Sequence, residues 1–423
     1  MPLAWRAWAL LALAGCNEAG DDVPRCTPGL QAACPCPGGA DSVQICNEDG
    51  TFGACGCPPG ADAGEPDAEP PAGCTRLGQG RPRFGVVLPL TGSLAAYGPG
   101  MVRGSSWRWR PGALAALVCD SGSDPATAAD AIRACAGAGL PAVIGPAASF
   151  VAVDAFEAAA RPTGTLLMSP SATAPALTTL ADDDLFWRTA PSDARQATAM
   201  ARLLAAEALA DPVVLVTRED PFGAGMADAF TAAYCPGGCG EDRLIRAGFF
   251  GDPAPAAERL AAVGSVGAVV LLIFPGDLDP IRAALPGDPP LWLPDALRTP
   301  EVGRALSRAR RAQVHGVMPA LPTGPAWNAF AAAHQARYGE PPAPFAAHAW
   351  DAAHALALAA GARGEDVAAA LRSGAAAEHP SAAGVRLFDD HGDAVGAVQA
   401  WAFTPEGEVA PGPIVLDLDD RLP

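Results

Sequence analysis

From residue 81 onward, short apolar runs alternate with longer segments that have helical periodicity. The runs of strand length are residues 83–90, 115–119, 142–145, 165–169, 213–217, 268–274 and 291–293. The helical segments between them are residues 124–138, 149–161, 193–210, 222–234 and 278–285. This alternation predicts an α/β fold in which doubly wound parallel sheets are covered by helices on both faces. Because the region is longer than one hydrophobic core usually supports, we expect two lobes with a ligand cleft between them.

The first residues have the features of an export signal. Residues 1–15 carry a single arginine, Arg6, followed by an apolar run that is too short to span a bilayer. The small residues before Cys16 resemble the lipobox of bacterial lipoproteins, which implies that Cys16 becomes an acylated first residue and anchors the mature chain to a membrane. The alternative is an ordinary secretory signal that a cysteine happens to follow.

Residues 16–60 are predicted to form a small module stapled by disulfides. Besides Cys16, six of the twelve cysteines lie here among many prolines and glycines: Cys26, Cys34, Cys36, Cys46, Cys55 and Cys57. Such a composition buries too little apolar surface to fold by packing alone, and an exported chain favours disulfides over metal ligands. Zinc binding by the two Cys-x-Cys pairs and a partner-binding role remain as alternatives. Residues 61–80 are predicted to form an acidic Pro/Gly linker.

Five further cysteines follow the module. The short spacings favour a disulfide between Cys119 and Cys135 and another between Cys235 and Cys239. Cys74 would then join the stapled module or remain free.

Composition excludes several classes of activity. The chain has 28 basic and 46 acidic side chains, a net charge of -18, and no basic cluster of the kind that binds nucleic acid. It contains no lysine, which excludes P-loop, Schiff-base and Ser-x-x-Lys chemistry. No nucleophile elbow, cofactor fingerprint or metal-ligand spacing occurs either. We therefore predict a protein that is not an enzyme and that needs no cofactor or metal.

Seven short motifs follow one another along the same region. They are residues 85–98, 143–149 (Val-Ile-Gly-Pro-Ala-Ala-Ser), 169–178 (Ser-Pro-Ser-Ala-Thr-Ala-Pro-Ala-Leu-Thr), 188–193 (Arg-Thr-Ala-Pro-Ser-Asp), 220–223, 346–352 and 387–393. Their joint order resembles the type I periplasmic binding proteins of the Leu/Ile/Val-binding class. The resemblance implies a lobe one made of residues 81–188 and 322–398 and a lobe two made of residues 192–318 and 400–423. It also implies three crossings between the lobes, at residues 189–192, 318–323 and 399–403.

The resemblance further implies which residues line the cleft. Lobe one would supply a lid edge, hydroxyls and main-chain groups, and lobe two would supply rings and a carboxylate for an ammonium group. The implied ligand-binding residues are Tyr97, Ser149, Ser171, Ala172, Thr173, Phe222, Phe274 and Asp295.

Several of these residues also have a purely structural interpretation. Ser149 precedes a helical run and is a candidate helix N-cap. Thr173 is a candidate cap for the turn before Pro175, and Asp295 follows a proline, where aspartate commonly forms turns. Phe274 ends an apolar strand and is a candidate core residue.

These features together predict an exported, lipid-anchored solute-binding protein. It would capture a small polar ligand, an amino acid or amide, by hinge closure and deliver it to an ABC permease. The alternative is a ligand-sensing or cell-envelope interaction lipoprotein with a degenerate cleft, because the interval from Gly98 to Asp120 is short for the family.

Overall fold

The computed structural model describes residues 31–35, 41–45, 47, 69–78, 82–106, 115–207, 209–360, 367–372 and 381–419. The chain divides into two compact units, residues 1–67 and residues 68–423. In the first unit, the described part is an antiparallel pair formed by β1 (Gln31–Pro35) and β2 (Asp41–Ile45). The predicted export signal, Cys16 and most of the predicted disulfide module lie outside the described residues.

The second unit contains two seven-stranded sheets, one in each lobe. The lobe-one strands are β3 (Cys74–Leu77), β4 (Pro82–Leu88), β5 (Ala115–Asp120), β6 (Ala142–Ile144), β7 (Leu166–Ser169), β8 (Phe186–Pro191) and β14 (Asp393–Ala394). Their order in the sheet is β14-β8-β7-β6-β4-β5-β3. All neighbours are parallel except β3, which pairs antiparallel with β5 at the sheet edge.

The lobe-two sheet has a parallel half and an antiparallel half. Its strands are β9 (Val213–Arg218), β10 (Leu244–Phe249), β11 (Ala268–Leu272), β12 (Leu291–Leu293), β13 (Val314–Pro319), β15 (Val398–Phe403) and β16 (Val409–Leu416). Their order is β10-β9-β11-β12-β13-β15-β16, and the last two strands run antiparallel to their neighbours. The prediction of two α/β lobes is therefore confirmed, with the refinement that both sheets are mixed.

Helices cover both faces of each sheet. In lobe one they are α1 (Gly98–Ser105), α2 (Pro125–Gly137), α3 (Ser149–Ala155), α4 (Arg161–Thr163), α11 (Pro325–Tyr338), α12 (Ala346–Ala360) and α13 (Val367–Arg372). In lobe two they are α5 (Asp193–Ala206), α6 (Pro221–Tyr234), α7 (Ala254–Ala262), α8 (Leu278–Ala283), α9 (Pro300–Ala305) and α10 (Arg308–Arg311). Among the described helices, none is both long and apolar enough to cross a bilayer.

The alternation of side chains between the two faces of each strand explains why helices cover both faces of the sheets. In β4, Val86 and Leu88 point into the core beneath α12, whereas Val87 points into the separate core beneath α2. Because successive side chains of a strand face opposite sides, a continuous apolar run needs helices on both faces to bury it.

Three crossings join the lobes. The chain leaves β8 at Pro191 and enters α5 at Asp193, and it later returns between β13 and α11. The third crossing was predicted at residues 399–403, and that prediction is wrong, because those residues belong to β15 inside lobe two. The crossing occupies residues 395–397, where the Ala397 carbonyl accepts a hydrogen bond from the Ala320 amide of the second crossing, 2.8 Å away.

The edge strand β3 shows that two predictions from the sequence are wrong, namely the disulfide partner of Cys119 and the end of the linker. Cys74 lies directly opposite Cys119 in the antiparallel ladder and forms a disulfide with it, so the predicted Cys119–Cys135 pair is wrong. Cys135 is a buried free thiol whose Sγ lies 3.9 Å from Cys119 Sγ. Residues 74–77 belong to the lobe-one sheet, so the predicted linker does not extend to residue 80. Cys235 and Cys239 are joined by a disulfide.

Replacing Cys74 with serine is expected to lower the free energy of unfolding by about 2–4 kcal/mol, because the disulfide constrains a long loop of the unfolded chain. Denaturant unfolding measures this loss, and Cys135→Ala, which removes a sulfur without removing a cross-link, is the matched control. Peptide mapping without reduction should recover residues 74 and 119 in one linked pair. Recovery of residue 119 linked to residue 135 would contradict the assignment.

Candidate ligand-binding site

The candidate site lies where the parallel strands of both lobes end. In lobe one, residues 145–149 follow β6 and residues 170–174 follow β7. In lobe two, Phe222 follows β9, Phe274 follows β11 and Asp295 follows β12, and these three strands are consecutive neighbours in the sheet. The carboxyl ends of parallel strands meet at one edge, so each lobe presents its predicted residues along one edge of its sheet.

Serine hydroxyls hold the two lobe-one loops together. Ser149 Oγ accepts a hydrogen bond from the Ala174 amide at 3.1 Å, and Ser171 Oγ donates to the Ala147 carbonyl at 2.9 Å. The N-cap of α3 is Ala148, so the interpretation of Ser149 as the helix cap is wrong. Because Ser149 accepts from the loop, its own O–H remains able to donate to a ligand.

Two carboxylates approach each other at the start of α5. The Gln196 side-chain amide donates to Asp193 Oδ1 at 2.7 Å and to Asp295 Oδ1 at 3.1 Å, so one amide bridges both acids. In return, the Asp295 amide donates to Gln196 Oε1 at 3.2 Å. The Asp193 amide donates to the Thr173 carbonyl at 2.8 Å, which brings the lobe-one loop to the acid pair of lobe two.

Burial makes this acid pair electrostatically unusual. Loss of hydration and the nearby charge of Asp295 raise the pKa of Asp193 to about 7. Side-chain hydrogen bonds from Thr173 and Gln196 and the charge of Arg188 oppose the shift. Burial also raises the pKa of Asp295. The second carboxylate oxygen of Asp193, Oδ2, is buried and has no hydrogen-bond partner within the part of the chain that the structure describes. Burial of the pair is therefore only partly compensated by hydrogen bonds.

Sequence reasoning missed Asp193 and Gln196 as site residues. Asp193 falls in the motif 188–193, which was interpreted only as a hinge crossing. Gln196 lies three residues later, on the same face of α5, and that spacing was the available signal.

Aromatic rings form the neighbouring surface of lobe two. The rings of Phe222 and Phe274 stack with their centroids 4.8 Å apart and their planes 20° apart. The Arg218 guanidinium lies 5.2 Å from the centroid of the Phe274 ring. Phe274 is 40% exposed, so it forms part of an accessible wall and does not complete the core.

Local sequence explains how these rings are held. Asp220 caps α6 by accepting hydrogen bonds from the Phe222 and Gly223 amides, which fixes the first turn that carries Phe222. Arg218 pairs with Asp220 at 2.7 Å and with Asp277 at 3.0 Å. The positive charge beside the rings is thereby already paired within the protein.

The remaining predicted residues differ in their surroundings. Ala172 is fully buried and contributes its main chain, whereas Ser171 and Thr173 are half-buried. Tyr97 is 46% exposed and precedes α1 at the carboxyl end of β4.

Within the described ranges, no group of three or more histidine, cysteine, aspartate or glutamate residues is arranged to hold a metal ion.

Part of this unit is similar in sequence to known proteins. Residues 82–277 match the family model described as periplasmic binding protein. The Leu/Ile/Val-binding protein BraC3 of Rhizobium johnstonii is 31% identical over 167 residues, which are 37% of this chain and 45% of the relative. The chain thus spans less than half the length of the curated relatives that it matches.

Solved structures extend the likeness in fold to both lobes. The leucine binding protein LivK from Thermotoga maritima is 21% identical with a TM-score of 0.64, covering 80% of this chain and all of that one. LivJ from Streptococcus pneumoniae, in complex with isoleucine, is 22% identical with a TM-score of 0.59, covering 78% of this chain and 99% of that one. The two-lobed unit therefore has the fold of these solved binding proteins, and its residues 82–277 carry the similarity to the periplasmic binding protein model.

Proposed function

We propose that this chain is an exported solute-binding protein that captures an amino acid between its lobes for ABC-type import. The observation that carries the proposal is the buried pair of Asp193 and Asp295, in which one carboxylate oxygen has no partner among the described residues. A protonated amine brings positive charge and three N–H donors, which are what this pair lacks.

The lobe-one loops suit the carboxylate of such a ligand. Ser149 retains an O–H to donate, whereas the O–H of Ser171 is already used on the Ala147 carbonyl. Ser171 would therefore contribute its main chain, as would Ala172 and Thr173, whose side chain hydrogen-bonds Asp193. An ammonium site in lobe two and a carboxylate site in lobe one would let a single zwitterion bridge both lobes, which favours the closed state.

The ring wall indicates the chemistry of the ligand's side chain. Phe274 follows β11, which is adjacent to the strand that precedes Asp295, and Phe222 follows β9, the next strand in the sheet. A ligand held at the acids would therefore extend its side chain along the stacked rings. Because Arg218 is already paired with two aspartates, this surface would favour an apolar side chain over an anionic one. The names of BraC3 and of LivJ with isoleucine fit an apolar amino acid.

The anchor and the permease belong to the same proposal. Residues 1–15 would direct export, and acylated Cys16 would hold the mature chain on a membrane surface. The ligand captured by the two lobes would pass to an ABC permease in that membrane. A sensor with a degenerate cleft is the less favoured reading, because the acids, hydroxyls and rings of a ligand site all remain.

Asp295→Asn should weaken amino-acid binding at least about tenfold, because it removes one charge of the acid pair while keeping its shape. Thermal-shift screening of residues 68–423 against the natural amino acids identifies the ligand, and calorimetry then measures affinity. Asp279→Asn, which changes an exposed acid of the same lobe, is the matched control. If no amino acid stabilises the wild-type protein, the proposed function is wrong.

Ligand binding is expected to release a proton near pH 6.5. The pKa of Asp193 is about 7 in the free protein, and a bound ammonium would lower it, so affinity should rise with pH up to about 7. Calorimetry in buffers of different ionisation enthalpy measures the proton count. Asp193→Asn should abolish the release, and net proton uptake by the wild-type protein would contradict this account.

Phe274→Ala should selectively weaken binding of amino acids with large apolar side chains. Loss of ring contact is expected to reduce leucine or phenylalanine affinity about tenfold while leaving alanine affinity nearly unchanged. Equal losses for large and small ligands would place the side-chain surface elsewhere. Phe250→Ala, at an exposed ring after β10, is the control.

A further inference from the structure

Arg188 is a fully buried cation in which every donor is satisfied. Its side chain is 0% exposed, and its Nε and Nη2 atoms donate to the two carboxylate oxygens of Asp393, each at 2.6 Å. Nη2 also donates to Thr178 Oγ1 at 2.6 Å, and that hydroxyl donates to Asp393 Oδ2 at 2.7 Å. With the two bonds from Nη1, all five N–H groups of the guanidinium have acceptors.

The two bonds from Nη1 reach the predicted ligand loop. Nη1 donates to the Ala174 carbonyl at 2.8 Å and to the Ala172 carbonyl at 3.3 Å. These carbonyls flank Thr173, so the loop curves around the guanidinium at the point where it would meet the ligand. The planar, forked geometry of arginine allows it to hold both carbonyls and the carboxylate at once, which a lysine ammonium cannot reproduce.

Asp393 ties the same cation to the crossings between the lobes. It lies in β14, paired with Arg188 of β8, and the Arg188 amide donates to the Gly392 carbonyl at 3.0 Å. The first crossing follows β8 and the third follows β14. One ion pair therefore fixes the ligand loop and the starting points of two crossings.

The cation also faces the acid pair. Its charge favours the ionised form of Asp193, against the effect of Asp295. Gln196 hydrogen-bonds both acids, and the Thr173 side chain hydrogen-bonds Asp193. The charge of Arg298 favours ionised Asp295. Arg188 is thus the cation that acts on Asp193 from lobe one.

We propose that Arg188, held by Asp393, is a positioning residue that sets the conformation of residues 172–174 and so links ligand affinity to the hinge. The inference rests on the proposed function, since it concerns how that ligand loop is held. Neither residue is assigned a contact with the ligand.

The test begins on ligand-free protein, so that it does not depend on the identity of the ligand. Arg188→Lys should raise the rate of hydrogen exchange at the Ala172 and Ala174 amides at least tenfold, because lysine cannot keep all the hydrogen bonds of the guanidinium and the loop becomes more mobile. Arg188→Met should in addition raise the pH at which the Asp193 carboxyl titrates, observed by NMR. Asp351→Asn, at a buried acid that holds residues 381–383 by hydrogen bonds, is the control that lowers stability alone.

Binding then completes the test. With the best amino acid from the screen, Arg188→Lys should weaken affinity about tenfold, whereas Asp351→Asn should leave affinity unchanged. Thr178→Val removes only the hydroxyl between the guanidinium and Asp393, and it should weaken affinity in the same way but by a smaller factor. This variant replaces the Arg188 variants if those fail to fold. If these variants lower the melting temperature yet leave loop exchange and Asp193 titration unchanged, Arg188 is merely structural. If the wild-type protein binds nothing, the proposed function fails, while the ligand-free measurements still decide the role of Arg188.

Discussion

The buried ion pair between Arg188 and Asp393 joins residues 205 positions apart in the chain. A charge removed from water is tolerated only when it is paired and hydrogen-bonded, and here every donor of the guanidinium is used. Those bonds hold the loop at residues 172–174, strand β8 and the short strand β14. The same ion pair therefore holds the lobe-one ligand loop and the strands from which two of the three crossings start.

On the lobe-two side, by contrast, the buried charges are not fully paired and hydrogen-bonded. Asp193 and Asp295 share a single Gln196 amide, and Asp193 Oδ2 is buried without a partner in the described chain. Two carboxylates in a desolvated position repel each other unless a proton or a cation intervenes. Under the proposed function, the saturated cation of lobe one would position the ligand loop, and the unsaturated anions of lobe two would bind the ligand.

Seven parallel strands were predicted from local periodicity, the one at residues 291–293 with its observed bounds and the others within a few residues. The parallel strands β8, β10 and β13 were not predicted. The short strand β3 and its disulfide were missed, because an antiparallel edge strand pairs with a distant segment and Cys74 has no local signal. The third crossing was misplaced because β14 has only two residues.

The candidate site was predictable only in outline. Motif order gave Ser149, Thr173, Phe222 and Asp295, and the structure places them at the carboxyl ends of the strands. The acid pair depends on burial and on a bridging glutamine, neither of which is visible in a linear pattern. Likewise, the exposed fraction of the Phe274 side chain shows that it lines an accessible surface and does not complete the core. That exposure depends on the tertiary fold, which a linear pattern does not reveal.

The central claim is that the acid pair selects a protonated amine. Its most direct test compares the tightest-binding amino acid with the carboxylic acid that lacks only the amino group, by calorimetry on the same protein. The account predicts that removing the amine weakens binding at least about a hundredfold, because the desolvated carboxylates lose their donor. Equal or tighter binding of the desamino acid would contradict it.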